Sequence, residues 1–289
     1  DITLIRIDAE RRKDPAARAE ALNDADAAIL CLPDDAAREA AAWVRNPRTR
    51  LIDASTAHRT APGWTYGFPE MDAAQRVAIA ASTRISNPGC YPTGFVALVR
   101  PLTAQGLLPA DWPFTVHAVS GYSGGGKAMI AEFEDEAAPG YTRVPYRIYA
   151  LGLGHKHVRE MQAHAGLAHP PLFAPAVGRY AQGMIVEVPL QTRAMATRPT
   201  RAALQEALAA HYAGARFVTV ASLAEADSLK TLDPEGLNGT NHLKLYVFGD
   251  DAAGQVRLVA LLDNLGKGAS GAAVQSMNLA LGLDEGTGL

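Results

Sequence analysis

Ala27-Ala-Ile-Leu-Cys-Leu-Pro33, Asp34–Val44 and Arg50-Leu-Ile-Asp-Ala54 follow one another as an apolar run, an alanine-rich segment and a second apolar run. The two runs read as buried strands, and Cys31 reads as a buried strand residue. The segment between them reads as a helix with Asp34 as its N-cap. Buried apolar strands separated by helices predict a parallel, doubly wound sheet, so the fold class is α/β. Upstream, Ile2–Ile7 reads as a short strand and Pro15–Leu22 as a helix. In such sheets ligands bind beyond the carboxyl ends of the strands. That places Leu32–Asp35 and Ser55–Arg59 at a candidate ligand site. A dinucleotide fold opens with a strand, a Gly-rich turn and a helix. Here no Gly precedes Gly63, and Asp1-Ile-Thr-Leu-Ile5 looks like the second strand of that fold. The expectation is that a first βα unit of about 25–30 residues is missing from this sequence.

The second half has a different rhythm. Phe114–Val119, Met184–Leu190, Phe217–Val220, Leu243–Phe248 and Val256–Leu262 read as strands, and few helices intervene apart from Arg201–Tyr212. This predicts an α+β catalytic domain built on a mixed or antiparallel sheet. The Gly-rich Asn264–Gly271 introduces a last helix to about Leu283.

The 289 residues suffice for two domains, and 48% apolar with 20% charged residues is the balance of a soluble globular protein. A net charge of −3 argues against a nucleic-acid or anionic-membrane surface. Arg11, Arg12 and Lys13 form a short basic run flanked by Glu10 and Asp14, which reads as a solvated face or a ligand contact. Two cysteines make no disulfide framework and suit a reducing cytoplasm. No signal peptide and no run of about 18 apolar residues is present.

Ser86-Asn-Pro-Gly-Cys-Tyr-Pro-Thr-Gly94 carries the chemistry. It places Cys90 in a tight turn, and Phe95, Val96, Leu98, Val99 and Leu102 then repeat at helical spacing. Pro92 suits a first helical turn, where its missing N–H is no loss. A thiol at a helix N-terminus meets the positive end of the dipole, which favours the thiolate. The competing reading is a buried structural cysteine.

Three further segments are candidates. Ser120-Gly-Tyr-Ser-Gly-Gly-Gly-Lys127 offers backbone N–H groups and one cation, which suits phosphate oxygens or a plain surface loop equally. Gly154-His-Lys-His-Val-Arg-Glu160 sets two imidazoles two residues apart, fit for acid/base work, for a structural pair or for metal. No companion Cys or His set has recognised spacing, so no metal site is expected. Asp263-Asn-Leu-Gly-Lys-Gly-Ala269 reads by default as a turn into a helix.

Taken in order with Cys31-Leu-Pro-Asp-Asp35, Asp53–Arg59 and Tyr66-Gly-Phe-Pro-Glu70, these segments resemble the N-acetyl-gamma-glutamyl-phosphate reductases in their shorter bacterial form. That family is similar to aspartate-semialdehyde dehydrogenase. Arg159 stands where the family has Pro, and Arg6 and Asp8 replace a small residue and Pro. The resemblance implies a dinucleotide-binding domain over 1–87 and 266–289, and a catalytic and oligomerisation domain over 88–265. It implies NADPH-dependent reduction of an acyl phosphate through a Cys90 thioester in arginine biosynthesis. His157 is the implied acid/base, and Asn87, Glu160, Ser123, Gly124 and Lys127 the implied substrate contacts. Cys31, Leu32, Pro33, Ser55, Gly125 and Asn264 are the implied NADP contacts. A homodimer or homotetramer is implied. The rival readings are a reductase of aspartyl or aminoadipyl phosphate, a cysteine hydrolase or acyltransferase, and a non-catalytic oligomeric scaffold, which would not need a free Cys with a distant His.

Overall fold

The computed structural model describes residues 2–289. They fall into two units. One comprises the residues up to Pro69, Ala73–Pro88 and Ala272–Leu289. The other comprises Glu70–Asp72 and Gly89–Gly271, so residues 266–271 group with the larger unit.

The first unit starts with α1 (Pro15–Asp24), β1 (Ala27–Leu30), α2 (Asp34–Trp43) and β2 (Arg50–Asp53). It continues with β3 (Thr65–Tyr66), α3 (Gln75–Ala81) and β4 (Arg84–Ser86). Asp14 caps α1 by accepting the Ala16 N–H at 3.0 Å, with Pro15 at the first helical position. The four strands are all parallel, in the order β1-β2-β4-β3. Neighbouring residues of β2 point to opposite faces. Leu51 packs with Ala37, Ala40 and Val44 of the α2 region. Ile52 packs with Ile79 and Ile85 and with Ala273, Leu279 and Ala280 of the C-terminal helix. Helices thus cover both faces, which is the doubly wound arrangement expected.

Three local expectations need correction. Ile2–Ile7 forms no strand, and Ile2, Leu4 and Ile5 are exposed, because an apolar run without a hydrogen-bonded neighbour has no ladder to join. The strand expected over Ala27–Pro33 stops at Leu30, and Cys31 is exposed rather than buried. β1 is an edge strand paired only with β2, so one side of it lacks cover. Asp34 does not cap α2, whose N-cap is Pro33. Its carboxylate instead takes the N–H and hydroxyl of Thr56.

The second unit contains α4 (Cys90–Ala104), β5 (Thr115–Gly121), α5 (Gly126–Glu134), β6 (Tyr146–Ile148) and α6 (His157–Ala165). β7 (Leu172–Gly178), β8 (Met184–Leu190), α7 (Arg201–His211), β9 (Val218–Val220) and α8 (Leu223–Ser228) follow. β10 (Leu243–Asp250) and β11 (Gln255–Leu262) complete its sheet, and α9 (Gly271–Ala280) returns the chain to the first unit from Ala272. The sheet is mixed, in the order β6-β7-β5-β8-β11-β10-β9. β5–β7 and β9–β10 are parallel and the other pairs antiparallel. One face is buried throughout, with Val116, Ala118, Val186, Val188, Leu258 and Ala260 in its core. α4 lies on that face. A methyl group on Gly94 would stand 2.9 Å from Val186 Cγ2 and 3.3 Å from Ala260 Cβ, so glycine permits the close approach. The opposite face is more open, with His117, Pro189 and Arg257 exposed and Val119, Ile185 and Glu187 half-buried.

Candidate active site

Cys90 is the first residue of α4, with Gly89 as N-cap, and it is half-buried. The turn chemistry read from the sequence is therefore realised: the thiol stands at the positive end of a 15-residue helix. Its turn is clamped from α6. Glu160, 2% exposed, accepts the Gly89 N–H at 2.7 Å.

His157 is the first residue of α6 and is buried. Its ring lies 5.8 Å from that of Tyr91, the neighbour of Cys90. Tyr91 donates its hydroxyl to the Ala176 carbonyl at 3.3 Å and receives the Tyr149 hydroxyl at 3.1 Å. Burial raises both phenols, Tyr149 to about 12. Phe173 and His155 close this aromatic group, with ring centroids 5.1 Å apart. His155 is a helix-start ligand: its Nδ1 accepts the His157 N–H at 3.1 Å. Burial, and secondarily the Lys156 charge, lower its pKa to about 4, which keeps it a neutral acceptor. The two histidines therefore differ in environment. Among the described residues no group of three or more His, Cys, Asp or Glu side chains is placed to hold a metal ion.

The glycine-rich loop is a short 3-10 turn, Tyr122–Gly125, leading into α5. Its backbone is less available than the sequence suggests. The Tyr122 and Ser123 N–H groups bond to the Tyr180 and Ala181 carbonyls, and the Gly126 N–H bonds to Ser123. Gly124, Gly125 and Lys127 are exposed. Asn264, 2% exposed, holds this loop in place. Its Nδ2 donates to Ser123 Oγ at 3.0 Å and its Oδ1 accepts the Gly183 N–H at 2.7 Å.

In the first unit, Leu32–Asp35 and Ser55–Arg59 follow the carboxyl ends of the adjacent parallel strands β1 and β2, as expected. Cys31 and Pro33 are exposed and Leu32 is half-buried. Ser55 is buried, and its hydroxyl donates to Asp53 at 2.7 Å. His58 Nδ1 lies 2.6 Å from the same carboxylate, and its ring stacks on Trp64 at 3.9 Å. Arg59 donates to the carbonyls of Ala54 and Asn87. The Asn87 N–H bonds to the Asp53 carbonyl at 2.7 Å. Asp53, His58 and Arg59 fall in one sequence motif, but residue type alone does not reveal that Asp53 and Asp34 brace the loop.

A parallel α/β unit, followed in the chain by a mixed-sheet unit that opens on a helix-start cysteine, has the organisation of a dinucleotide-dependent oxidoreductase. Residues 7–79 match the family model described as semialdehyde dehydrogenase, NAD binding domain, and residues 90–264 match semialdehyde dehydrogenase, dimerisation domain. The chain belongs to the semialdehyde dehydrogenase family, whose members are oxidoreductase enzymes. It is 55% identical over 283 residues to an N-acetyl-gamma-glutamyl-phosphate reductase of Burkholderia ambifaria, covering 98% of this chain and 89% of that one. It is 53% identical over 295 residues to N-acetyl-gamma-glutamyl-phosphate reductase 2 of Nostoc, covering 100% and 92%. Among solved structures it is similar to aspartate semialdehyde dehydrogenase II of Vibrio cholerae. That likeness has a TM-score of 0.64 at 17% identity, covers 90% and 81% of the two chains, and concerns the fold. Among the described residues no helix is long and apolar enough to cross a membrane.

Proposed function

We propose that this chain is an N-acetyl-gamma-glutamyl-phosphate reductase of arginine biosynthesis, reducing N-acetyl-5-glutamyl phosphate to N-acetyl-glutamate 5-semialdehyde in the cytoplasm. The names of its relatives support the substrate. The observation that carries the mechanism is the first turn of α6. It brings His157 to Tyr91 and Glu160 to Gly89, on either side of Cys90.

His157 takes the thiol proton, and the Cys90 thiolate attacks the acyl carbon. The carbon–oxygen bond to phosphorus breaks, inorganic phosphate leaves and takes its proton from solvent, and a thioester remains on Sγ. A thioester accepts hydride where a carboxylate does not. The reduced nicotinamide, when bound, supplies that hydride. The resulting thiohemiacetal alkoxide collapses to the aldehyde as the carbon–sulfur bond breaks, and His157 returns the proton to the departing thiolate. Glu160 holds the turn through Gly89 and lines the substrate in this reading. Ser123, Gly124 and Lys127 receive the phosphate.

The dinucleotide-binding unit fits a cofactor at the open carboxyl ends of β1 and β2, where Cys31 and Pro33 are exposed. Cys31, Leu32, Pro33 and Ser55 would hold it there. In the catalytic unit Gly125 is exposed and Asn264 fixes the Ser123 turn. NADP is favoured over NAD by the exposed Arg12 and Lys13; Arg11 is shared with Asp14 and Glu20. The open face of the mixed sheet, within the residues that match a dimerisation domain, would meet a second copy of the chain.

The test is spectrophotometric. Enzyme, acyl phosphate and reduced nicotinamide are mixed, and loss of the reduced cofactor's absorbance is followed. The expected result is phosphate-releasing turnover with the N-acetylglutamyl substrate and a preference for NADPH. Turnover with aspartyl phosphate alone would move the assignment to a sister reductase. Hydrolysis without cofactor consumption would overturn it.

A further inference from the structure

Lys267 is the anomaly of the second unit: a lysine with 0% exposure. Lysine is almost never fully buried unless paired. Its Nζ meets both carboxylate oxygens of Glu70, whose side chain is 7% exposed, at 2.8 and 2.9 Å, and lies 5.7 Å from the Phe217 ring centre. Replacing a buried ion pair by packed apolar groups is often neutral for stability, so such a pair calls for another explanation. One is at hand in the backbone that carries the lysine. Gly266–Ser270 is a single turn of π-helix, with Gly268 N–H bonded to Asp263 and Ser270 N–H to Leu265. Single π turns are rare and concentrate at functional sites. This one is wedged in on two sides. A methyl on Gly266 would stand 2.1 Å from the Thr240 carbonyl oxygen, and a methyl on Gly268 would stand 2.9 Å from Cys90 Cβ. The turn is therefore the wall against which the base of the Cys90 side chain rests.

We propose that the Lys267–Glu70 ion pair is a latch that holds this π turn against Cys90, which makes Lys267 a positioning residue for the nucleophile. The catalytic meaning rests on the thioester reading above; the placement of the thiol does not. A lysine in the turn, rather than an apolar residue, gives it a directional tether that packing cannot supply. The tether fixes the height of Gly268 and with it the thiol's position.

The experiment compares Lys267→Met, the paired variant Lys267→Met/Glu70→Leu, and Gly268→Ala. Each is read by thermal melting, by steady-state kinetics and by the rate at which iodoacetamide alkylates Cys90, followed on the Cys90 peptide by mass spectrometry. Lys267→Met should lower Tm, because it strands the Glu70 carboxylate. The paired variant should regain Tm while kcat stays about tenfold to a hundredfold down, with KM little changed and Cys90 alkylation slowed. Gly268→Ala keeps the ion pair and should show the same kinetic loss. A paired variant with parental kcat and alkylation rate would overturn the latch, as would parental alkylation in Gly268→Ala. A paired variant that does not fold also counts against it, since the pair would then serve the fold at large. Alkylation needs neither substrate nor cofactor. A chain inactive on the acyl phosphate would therefore defeat the proposed reaction while leaving the latch testable.

Discussion

Cys90 and His157 occupy the same place in two different helices, the first helical residue. For the cysteine that place favours the anion; for the histidine it gives a ring fixed by its own backbone, whose N–H is tied to His155. Cys90→Ser should remove turnover while the melting temperature stays near parental, since a serine hydroxyl is hardly ionised at neutral pH. Near-normal turnover by the serine variant rules out the thioester. His157→Asn should lower kcat about 10²–10⁴-fold. His155→Asn should cost far less, and a larger loss there would exchange the two roles. His155 also makes a pH prediction. Burial lowers its pKa from 6.5 to about 4, so between those values the unfolded chain binds the proton and the folded chain does not. Its contribution to stability is complete above pH 6.5 and is lost as pH falls toward 4. Melting temperatures measured across that window should fall less steeply for His155→Asn than for the parent; parallel slopes refute the assignment. At this scale the sequence was informative about Cys90, because Pro, Gly and the helical repeat around it are local signals. It was mute about Tyr149 and Phe173, whose meeting with His155 depends on strand pairing across distant segments.

At the scale of elements, the glycine-rich loop shows how far local reading goes. Three glycines and a lysine suggested a run of open N–H groups. The Tyr122, Ser123 and Gly126 amides bond to internal carbonyls, which leaves Ser123 Oγ, Gly124 and Lys127 to serve the phosphate in the proposed reaction. No single-segment pattern reveals that Tyr180 and Ala181 supply those carbonyls. Lys127→Ala should then raise KM for the acyl phosphate, and for inorganic phosphate in the reverse reaction. The expected size is roughly tenfold to a hundredfold, the worth of one charge-assisted contact at about 1.5–3 kcal/mol. NADPH affinity measured by calorimetry should hold. A fall in NADPH affinity instead assigns the loop to the cofactor, and no change in either makes it a plain turn. The strands of the second unit were legible to within a residue or two, because β8, β10 and β11 are long and partly alternating. β6, β7 and α6 were not, since β6 has only three residues, Leu172–Gly178 carries a proline and two alanines, and α6 is nine residues long without a strong apolar stripe.

For the whole molecule, the order of units was legible because the rhythm of the chain changes after Cys90. The strand expected over Ile2–Ile7 was not realised, because periodicity reports apolar content and not whether a partner strand exists to receive it. The same distinction governs assembly. The mixed sheet buries Val116, Ala118, Val186 and Val188 on one face, while register sets His117 beside Glu187 and Val119 beside Ile185 on the other. On that second face Tyr246, Val259 and Leu261 are buried in a cluster with Leu232 and Leu237, while His117, Pro189 and Arg257 are exposed and Val119 is half-buried. The part around Val119, left partly uncovered, is the kind of surface that a second copy covers. Val119→Glu changes that face without touching the buried one. In a dimer it should place a charge in the interface centre, costing about 2 kcal/mol or more and weakening association roughly thirtyfold or beyond. Sedimentation across a dilution series should show the parent as a dimer or tetramer and the variant shifted to smaller species, with an unchanged circular dichroism spectrum. A variant that sediments with the parent at every concentration would place the interface elsewhere.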